Sequence, residues 1–184
     1  MQWTPYADCG LRMTVWVAFL RAVNVGKRQM KMAELKALCE ELGYSNVKTI
    51  LASGNVRVEA AENPKAELEA AIEQRWGFFS EAVMRSGNEI EAMLAAKPFA
   101  KYPDEGPFHR YVLMFDKPLP KGASYTGMEG DFDVVRVDEK DIYLVGYRQP
   151  DGRHGPGLDK FDRQLEKGAV ATMRNWNTIP KVLT

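Results

Sequence analysis

The segment TVWVAFL, residues 14–20, decides how the first half of the chain is expected to fold. Val15, Val17 and Phe19 lie among apolar neighbours, a pattern that predicts a buried β-strand. Arg21 ends the run, which is therefore too short for the core of a signal sequence or for a membrane-spanning helix. We therefore expect a central strand of a globular protein and no membrane association.

An amphipathic helix is expected after the polar loop RAVNVGKRQMKM, residues 21–32. Apolar residues recur at spacings of three and four until Gly43, which is a typical helix end. Cys39 lies on the apolar face of this helix, where we interpret it as a small buried hydrophobic residue rather than a nucleophile. The apolar positions are Leu35, Leu38, Cys39 and Leu42.

Four further elements complete the first half of the chain. The order of all six elements is β-α-β-β-α-β, which predicts a ferredoxin-like unit over residues 13–86, with an antiparallel sheet and two helices on one face. The further elements are a strand at 47–51, a strand at 56–59 joined to it through Ser53-Gly54-Asn55, a helix from Asn63-Pro64 to Gly77, and a strand at 80–85.

A second antiparallel α+β unit is expected over residues 87–184, which places the whole chain in the α+β class. The sequence shows no recognisable internal repeat between the two halves. Residues 1–12 have no periodicity and are expected to form a flexible N-terminal extension. The elements predicted for the second half are a helix ending before Pro98, strands at 110–115, 132–137 and 142–147, and a helix ending at Gly168.

Composition limits the classes of function that the chain can have. The formal net charge is zero over 184 residues, so no overall field attracts the protein to nucleic acid or to an anionic membrane. Cys9 and Cys39 are the only cysteines, they form no C-x-x-C motif, and no secretory leader is recognised. These features favour a reducing compartment, and thus a cytoplasmic location, over a disulfide-stabilised secreted protein.

Two segments without any acidic residue carry a local excess of positive charge. One covers residues 9–33 and the other covers residues 167–184. In a chain of zero net charge, the two segments can fold together into one surface that attracts anions. The alternative is a chance distribution of ordinary solvated charges. The basic residues are Arg12, Arg21, Lys27, Arg28 and Lys31 in the first segment, and Lys167, Arg174 and Lys181 in the second.

The first segment contains a strand-to-helix loop that can bind phosphate or carboxylate. Backbone N–H groups and a lysine side chain can surround an anion at such a loop. The Gly-x-x-x-x-Gly-Lys-Ser/Thr spacing of a P-loop is missing. The alternative is a structural turn in which Asn24 bonds the local backbone and Gly26 supplies a positive φ. The residues that follow the strand and suit an anion are Arg21, Asn24, Gly26 and Lys27.

The second segment contains TMRNWNT, residues 172–178, which is rich in hydrogen-bonding side chains. Trp176 can stack against a ligand, and the side chains around it can supply hydrogen bonds. Alternatively, Thr172 caps a last helix and Trp176 packs in the core. The side chains that can hydrogen-bond a ligand are those of Arg174, Asn175 and Asn177.

Four stretches of the chain are LRAVNVG (20–26), MAEL (32–35), SGNV (53–56) and TMRNWNT (172–178). Taken together, they resemble the signature stretches of the DUF1697 family, which has no assigned function. They occur in family order, and the resemblance implies a ferredoxin-like N-terminal part joined to a second α+β part. It implies no catalytic residues. Two departures are Ala22, where the family usually has glycine, and Pro180, which falls within the family's closing helix.

Signatures of the common enzyme classes are absent from the sequence. His109 and His154 are the only histidines, and neither has the spacing of a metal site. There is no Gly-x-Ser-x-Gly motif of a serine hydrolase. We therefore expect no metal and no cofactor.

The leading hypothesis is that the chain binds a small anionic ligand, such as a nucleotide or a phosphorylated metabolite. The alternatives are a metal-independent enzyme acting on a small molecule, and a structural role in which Arg174 holds the C-terminal segment against the first loop. An RNA or single-strand nucleic-acid binding module is least favoured, because the strands lack the RNP-type aromatic pattern. The oligomeric state is not predicted. The residues expected to bind the ligand are Arg21, Asn24, Gly26, Lys27, Asn55, Arg174, Asn175, Trp176 and Asn177.

Overall fold

The computed structural model describes residues 12–26, 28–153 and 155–184 of the chain. Cys9, most of the predicted N-terminal extension, Lys27 and His154 lie outside the described residues. The described residues form two four-stranded antiparallel sheets and three α-helices, so the predicted α+β class is confirmed.

The elements of the first half follow the predicted order, and those of the second half include one strand that the sequence does not predict. The first half contains β1 Thr14–Leu20, α1 Met32–Glu41, β2 Ser45–Ile50, β3 Asn55–Ala60, α2 Lys65–Trp76 and β4 Ala82–Ser86. The second half contains α3 Gly87–Ala95, β5 Phe108–Phe115, β6 Phe132–Val137, β7 Asp141–Tyr147 and β8 Ala171–Asn175. Short 3₁₀ turns occur at Leu158–Gln164, Trp176–Thr178 and Pro180–Val182.

The first sheet has the strand order β2-β3-β1-β4, and every neighbouring pair is antiparallel. This arrangement agrees with the predicted β-α-β-β-α-β unit, with the segment TVWVAFL as a central strand. Side chains of β1 alternate between the two faces of the sheet, as strand geometry requires. Ala18 and Leu20 pack with α1 and α2, whereas Val17 and Phe19 face the second sheet.

The second sheet has the order β6-β7-β5-β8, which is the order of the first sheet with each strand number raised by four. Strand β5 corresponds to β1, and its neighbours β7 and β8 correspond to β3 and β4. Irregular chain at residues 116–131 takes the place of α1, and the 3₁₀ turn Leu158–Gln164 takes the place of α2. The two halves therefore share a topology that the sequence does not reveal as a repeat.

The two sheets pack face to face through a shared core. Val17 and Phe19 of the first sheet lie in one cluster with Val112 and Met114 of the second, together with Ile90 of α3. The other face of the first sheet packs against α1 and α2. Both faces of the first sheet are therefore covered by other parts of the chain. Neither face is open to a binding partner.

The last helix of the alternative interpretation, capped by Thr172, does not form. Residues Ala171–Asn175 form strand β8, in which Arg174 lies opposite Val112 of β5. Thr172 does not cap a helix, since it lies within the strand and its hydroxyl accepts a hydrogen bond from Arg174. Pro180 begins a 3₁₀ turn rather than interrupting a helix. Pairing with a strand distant in sequence overrides the local pattern here, as is common for β-structure.

Candidate ligand-binding site

Arg174 joins the end of β1, the β2–β3 turn and the C-terminal motif. A guanidinium has five N–H groups, and each of those of Arg174 can be assigned to an acceptor within the protein. None of these donors is left for a ligand in this arrangement. The five acceptors are Oδ1 of Asn55 (2.7 Å), Oγ1 of Thr172 (2.6 Å) and the carbonyl oxygens of Met173 (2.9 Å), Leu20 (2.7 Å) and Ser53 (3.1 Å).

The charge of Arg174 has no carboxylate against it among the described residues. All five acceptors are neutral, and burial lowers the pKa of Arg174 to about 10. A buried cation without a counter-charge leaves a positive potential around it, because the protein interior screens charge less than water does. This end of the first sheet is therefore electropositive.

Asn55 and Asn24 support the backbone around this arginine. Asn55 is fully buried, and its amide nitrogen donates to the carbonyl of Ile50 (2.8 Å). The side chain of Asn24 donates to the carbonyl of Ala52 (2.8 Å) and accepts from the N–H of Met30 (2.8 Å). Both side-chain amides are thus engaged with the protein itself, and Asn24 bonds the backbone as the structural-turn alternative expects.

Two residues of the first loop have a positive φ. Gly26 has a φ of 63°, which glycine adopts easily. Ala22 has a φ of 51°, in the left-handed region that disfavours any residue with a Cβ. This backbone conformation explains why glycine suits the position, as the resemblance to the family implies. A turn engages the backbone N–H of Val25. No described residue accepts a hydrogen bond from the backbone N–H groups of Ala22, Val23, Asn24 and Gly26.

Arg21 and Arg28 place positive charge at the surface of the first loop. Arg21 forms an ion pair with Glu81, and 37% of its side chain remains exposed. Arg28 is exposed, and its guanidinium lies 4.9 Å from the centre of the Phe78 ring in a cation–π contact. The two positive charges of these arginines are therefore opposed by one carboxylate, that of Glu81.

These arginines border an open cleft of about 480 Å³, which we call the first-loop cleft. The first loop forms one wall, and the chain ahead of β4 and the start of β8 form the rest. The two basic segments that the sequence singles out therefore meet at one cavity. Its lining includes Arg21, Val25 and Arg28 on the loop side and Phe79, Glu81 and Thr172 on the other side.

A family model described as "Protein of unknown function (DUF1697)" matches residues 13–143, which is most of the chain. This chain belongs to the DUF1697 family. The structure of conserved bacterial protein SP0830 from Streptococcus pneumoniae is similar in fold, with a TM-score of 0.63 and 20% sequence identity. The similarity covers 92% of this chain and 97% of that chain. No curated protein matches this sequence.

Trp176 lies away from the first-loop cleft in this DUF1697 protein. It is only 9% exposed, and its ring contacts Phe99 and Tyr143 edge-on at centroid distances of 5.3 and 5.7 Å. Edge-to-face pairs of this kind stabilise a core. Trp176 therefore packs in the core, as the alternative interpretation of the sequence describes. Its ring offers no open face to a ligand.

Asn175 and Asn177 also lie outside the lining of the first-loop cleft. The side chain of Asn175 accepts a hydrogen bond from the N–H of Asn177 (2.9 Å) at the start of a 3₁₀ turn. The side chain of Asn177 accepts one from Arg110 (2.8 Å), on β5. The residues predicted as one site therefore divide: Arg21, Asn24 and Gly26 lie at the cleft or on its loop, whereas Asn175 and Asn177 surround Trp176.

The prediction from sequence omits Phe79 and Glu81, which line the cleft of this DUF1697 protein. The aromatic pair Phe78 and Phe79, directly ahead of a predicted strand, was the available signal, because adjacent residues of an extended chain cannot both face the core. Within the described residues, no group of three or more His, Cys, Asp or Glu is placed to hold a metal ion. The helices of that same part of the chain are too short or too polar to cross a membrane.

Proposed function

We propose that this protein binds a small anionic ligand, such as a nucleotide or a phosphorylated metabolite, in the first-loop cleft. The observation that carries the proposal is that the first loop and β8, both from acid-free basic segments, border the same cavity. Small-ligand sites are concave and combine apolar surface with a few placed polar groups, and this cleft has that composition.

The balance of charge favours an anion as the ligand. Arg21 and Arg28 line the cleft against the single carboxylate of Glu81. Arg174 adds a half-buried charge without a carboxylate partner next to the cleft, since it donates a hydrogen bond to Thr172 in the cleft wall. A negatively charged group in the cleft is attracted by all three guanidinium groups.

Backbone donors of the first loop support phosphate in particular. The N–H groups of Ala22, Val23, Asn24 and Gly26 have no acceptor among the described residues. Consecutive backbone N–H groups in a loop between a strand and a helix are suited to bind phosphate oxygens. The positive φ values of Ala22 and Gly26 shape the same loop.

Phe79 favours a ligand with a flat group, such as a nucleotide base. Its side chain is 46% exposed although it is large and apolar, and it lines the cleft together with Arg28. An exposed aromatic ring next to a guanidinium can stack against a base. We therefore expect AMP to bind more tightly than inorganic phosphate.

Arg174, Asn55 and Asn24 position the cleft in this proposal rather than contact the ligand. Their side-chain donors are engaged with neighbouring protein groups. A substitution at Arg174 therefore disturbs the wall of the cleft and the stability of the fold together. Arg28 is the better residue for a binding test, because it is exposed and contacts only the ring of Phe78 and the carbonyl of Phe79 among the interactions described.

The test is a thermal-shift titration with AMP, pyrophosphate and inorganic phosphate. We expect AMP to raise the Tm saturably, because a ligand that binds only the folded state stabilises it. In the Arg28→Glu variant the affinity for AMP should fall by at least about tenfold, because a carboxylate replaces a charge partner of the anion. The control is Lys101→Glu, which reverses an exposed charge outside the cleft and should bind AMP like the wild type.

The proposal fails if none of the three anions gives a saturable shift, or if Arg28→Glu keeps wild-type affinity. RNA binding on an open sheet face has less support than a small ligand. Helices α1 and α2 cover one face of the first sheet, and the second sheet covers the other. Stacking of bases on strand aromatics requires a face that is free.

A further inference from the structure

We propose that the second half of the chain carries its own ligand cleft, for an anion with a flat apolar body such as an aromatic carboxylate or an aryl phosphate. A cavity of about 240 Å³ lies where β5 ends, and we call it the β5 cleft. Its lining includes Phe115, Lys117, Leu119, Tyr125, Lys167 and Ala169.

The β5 cleft occupies the position in the second sheet that the first-loop cleft occupies in the first. Beyond β1, the N–H of Arg21 donates to the carbonyl of Glu81 (2.9 Å), ahead of β4. Beyond β5, the N–H of Asp116 donates to the carbonyl of Val170 (3.0 Å), ahead of β8. Each cleft thus opens between the chain that leaves a central strand and the chain that enters the last strand of the same sheet.

The walls of the β5 cleft are apolar and firmly held. Tyr125 packs at 5.9 Å, centre to centre, from the ring of Phe161 in the core. Leu119 is fixed by a hydrogen bond from its N–H to the carbonyl of Glu139 (2.7 Å). Half-buried apolar side chains around an aromatic ring suit a flat organic group, which buries more apolar surface there than a small inorganic ion does.

The charges at the β5 cleft favour a negative group on that ligand. Lys117 and Lys167 line it and are exposed, so they can reach a bound anion. Asp116 also lines the cleft, but it is paired with Lys65 (2.6 Å). Lys65 also approaches Glu69 (3.7 Å), so it adds no net charge of its own, and the two exposed lysines of the lining face Glu166 as the one carboxylate there without a lysine partner.

This inference is separate from the function proposed above, because the two clefts share no lining residue. Binding in the β5 cleft stands even if the first-loop cleft binds nothing. The test uses the full chain and phenyl phosphate as the probe, followed by backbone amide chemical shifts in NMR. Inorganic phosphate tests the charge alone, and benzyl alcohol tests the ring alone.

We expect phenyl phosphate to shift the amide signals of Leu119 and Gly168 saturably, with an affinity at least about tenfold above that of either single-feature probe. The double variant Lys117→Glu/Lys167→Glu should lose at least about tenfold in affinity, because both charge partners are reversed. Lys121→Glu is the matched control, since it reverses an exposed lysine of the same loop outside the cleft. Arg28→Glu should leave the signals of the β5 cleft unchanged.

Four results would overturn the inference. The first is that phenyl phosphate leaves the amides of Leu119 and Gly168 unshifted. The second is that inorganic phosphate or benzyl alcohol binds there as tightly as phenyl phosphate. The third is that Lys117→Glu/Lys167→Glu, with an unchanged Tm, binds the probe like the wild type. A shift confined to Val25 and its neighbours belongs to the first-loop cleft and also overturns it.

Discussion

Arg85 and Arg174 occupy equivalent positions in the two sheets, and each guanidinium hydrogen-bonds to the sheet that the other belongs to. Arg85 on β4 lies opposite Val17 of β1, as Arg174 on β8 lies opposite Val112 of β5. Each guanidinium donates a hydrogen bond to the backbone carbonyl of the last residue of the other sheet's central strand. These acceptors are the carbonyls of Phe115 for Arg85 (3.0 Å) and Leu20 for Arg174 (2.7 Å).

The two arginines differ in a second partner. In each case this partner is the first residue of a strand that lies beside the central strand of the other sheet. Arg85 bonds the carboxylate of Asp141, which begins β7, at 2.9 Å. Arg174 bonds the amide of Asn55, which begins β3, at 2.7 Å. Both contacts hold the halves together, but only the first neutralises the buried charge.

We predict that Arg85→Met destabilises the protein more than Arg174→Met does. Arg85→Met leaves the carboxylate of Asp141 buried without its partner, which costs about 3–5 kcal/mol. Arg174→Met removes a cation that has no counter-charge, and its five neutral acceptors are part-buried or exposed, so water can replace the guanidinium and a cost of about 1–3 kcal/mol applies only to an acceptor that stays unpaired. Urea unfolding at pH 7 measures both free energies.

A second substitution provides the control for this pair. Asp141→Asn in the Arg85→Met background should recover part of the lost stability, because an amide is less costly to bury without a charged partner than a carboxylate is. Equal losses for the two single variants, or no recovery in the double variant, would show that the charge of Asp141 does not set the difference.

Local patterns predict the first half of the fold well. The strand Thr14–Leu20 has the predicted bounds, because a run of apolar residues between polar ones needs no distant partner to identify it. Strand β8 could not be predicted, because the alternation in ATMRN is weak and the strand exists through its pairing with β5.

The candidate site is predictable only in its general location. The acid-free segments mark the first loop and β8, and these do border one cleft. Which side chains remain free there depends on tertiary contacts between distant residues. Arg174 is the example, since its donors go to residues about 120 or more positions away as well as to its neighbours.

We predict that Ala22→Gly stabilises the protein by up to about 1 kcal/mol, because Ala22 has a φ of 51° and glycine removes the steric cost of its Cβ there. Thermal and urea unfolding measure the gain. Ala92→Gly is the control, at an exposed position inside α3, and it should lose about 0.5–1 kcal/mol. A loss of stability in Ala22→Gly would mean that the loop does not hold this conformation.

We predict that Tyr143→Phe leaves stability unchanged or raises it by up to about 1 kcal/mol. The Tyr143 hydroxyl is buried and has no hydrogen-bond partner among the described residues, so its removal ends a desolvation cost. Tyr147→Phe is the matched control, since that hydroxyl donates to Asp133 (2.5 Å), and it should lose about 1 kcal/mol. A clear loss in Tyr143→Phe would instead reveal an acceptor for its hydroxyl.

We predict that Cys39 resists alkylation by iodoacetamide at pH 8 in the folded protein. It is fully buried on the apolar face of α1, and burial raises the pKa of its thiol to about 12, so almost no thiolate is present. Mass spectrometry of the tryptic peptide covering residues 37–48, which contains Cys39 as its only cysteine, follows the reaction at this residue alone. In urea the same peptide should be modified within minutes, because unfolding exposes the thiol and returns its pKa to the ordinary range. Rapid modification of Cys39 under folding conditions would show that α1 opens readily and would contradict its place in the core.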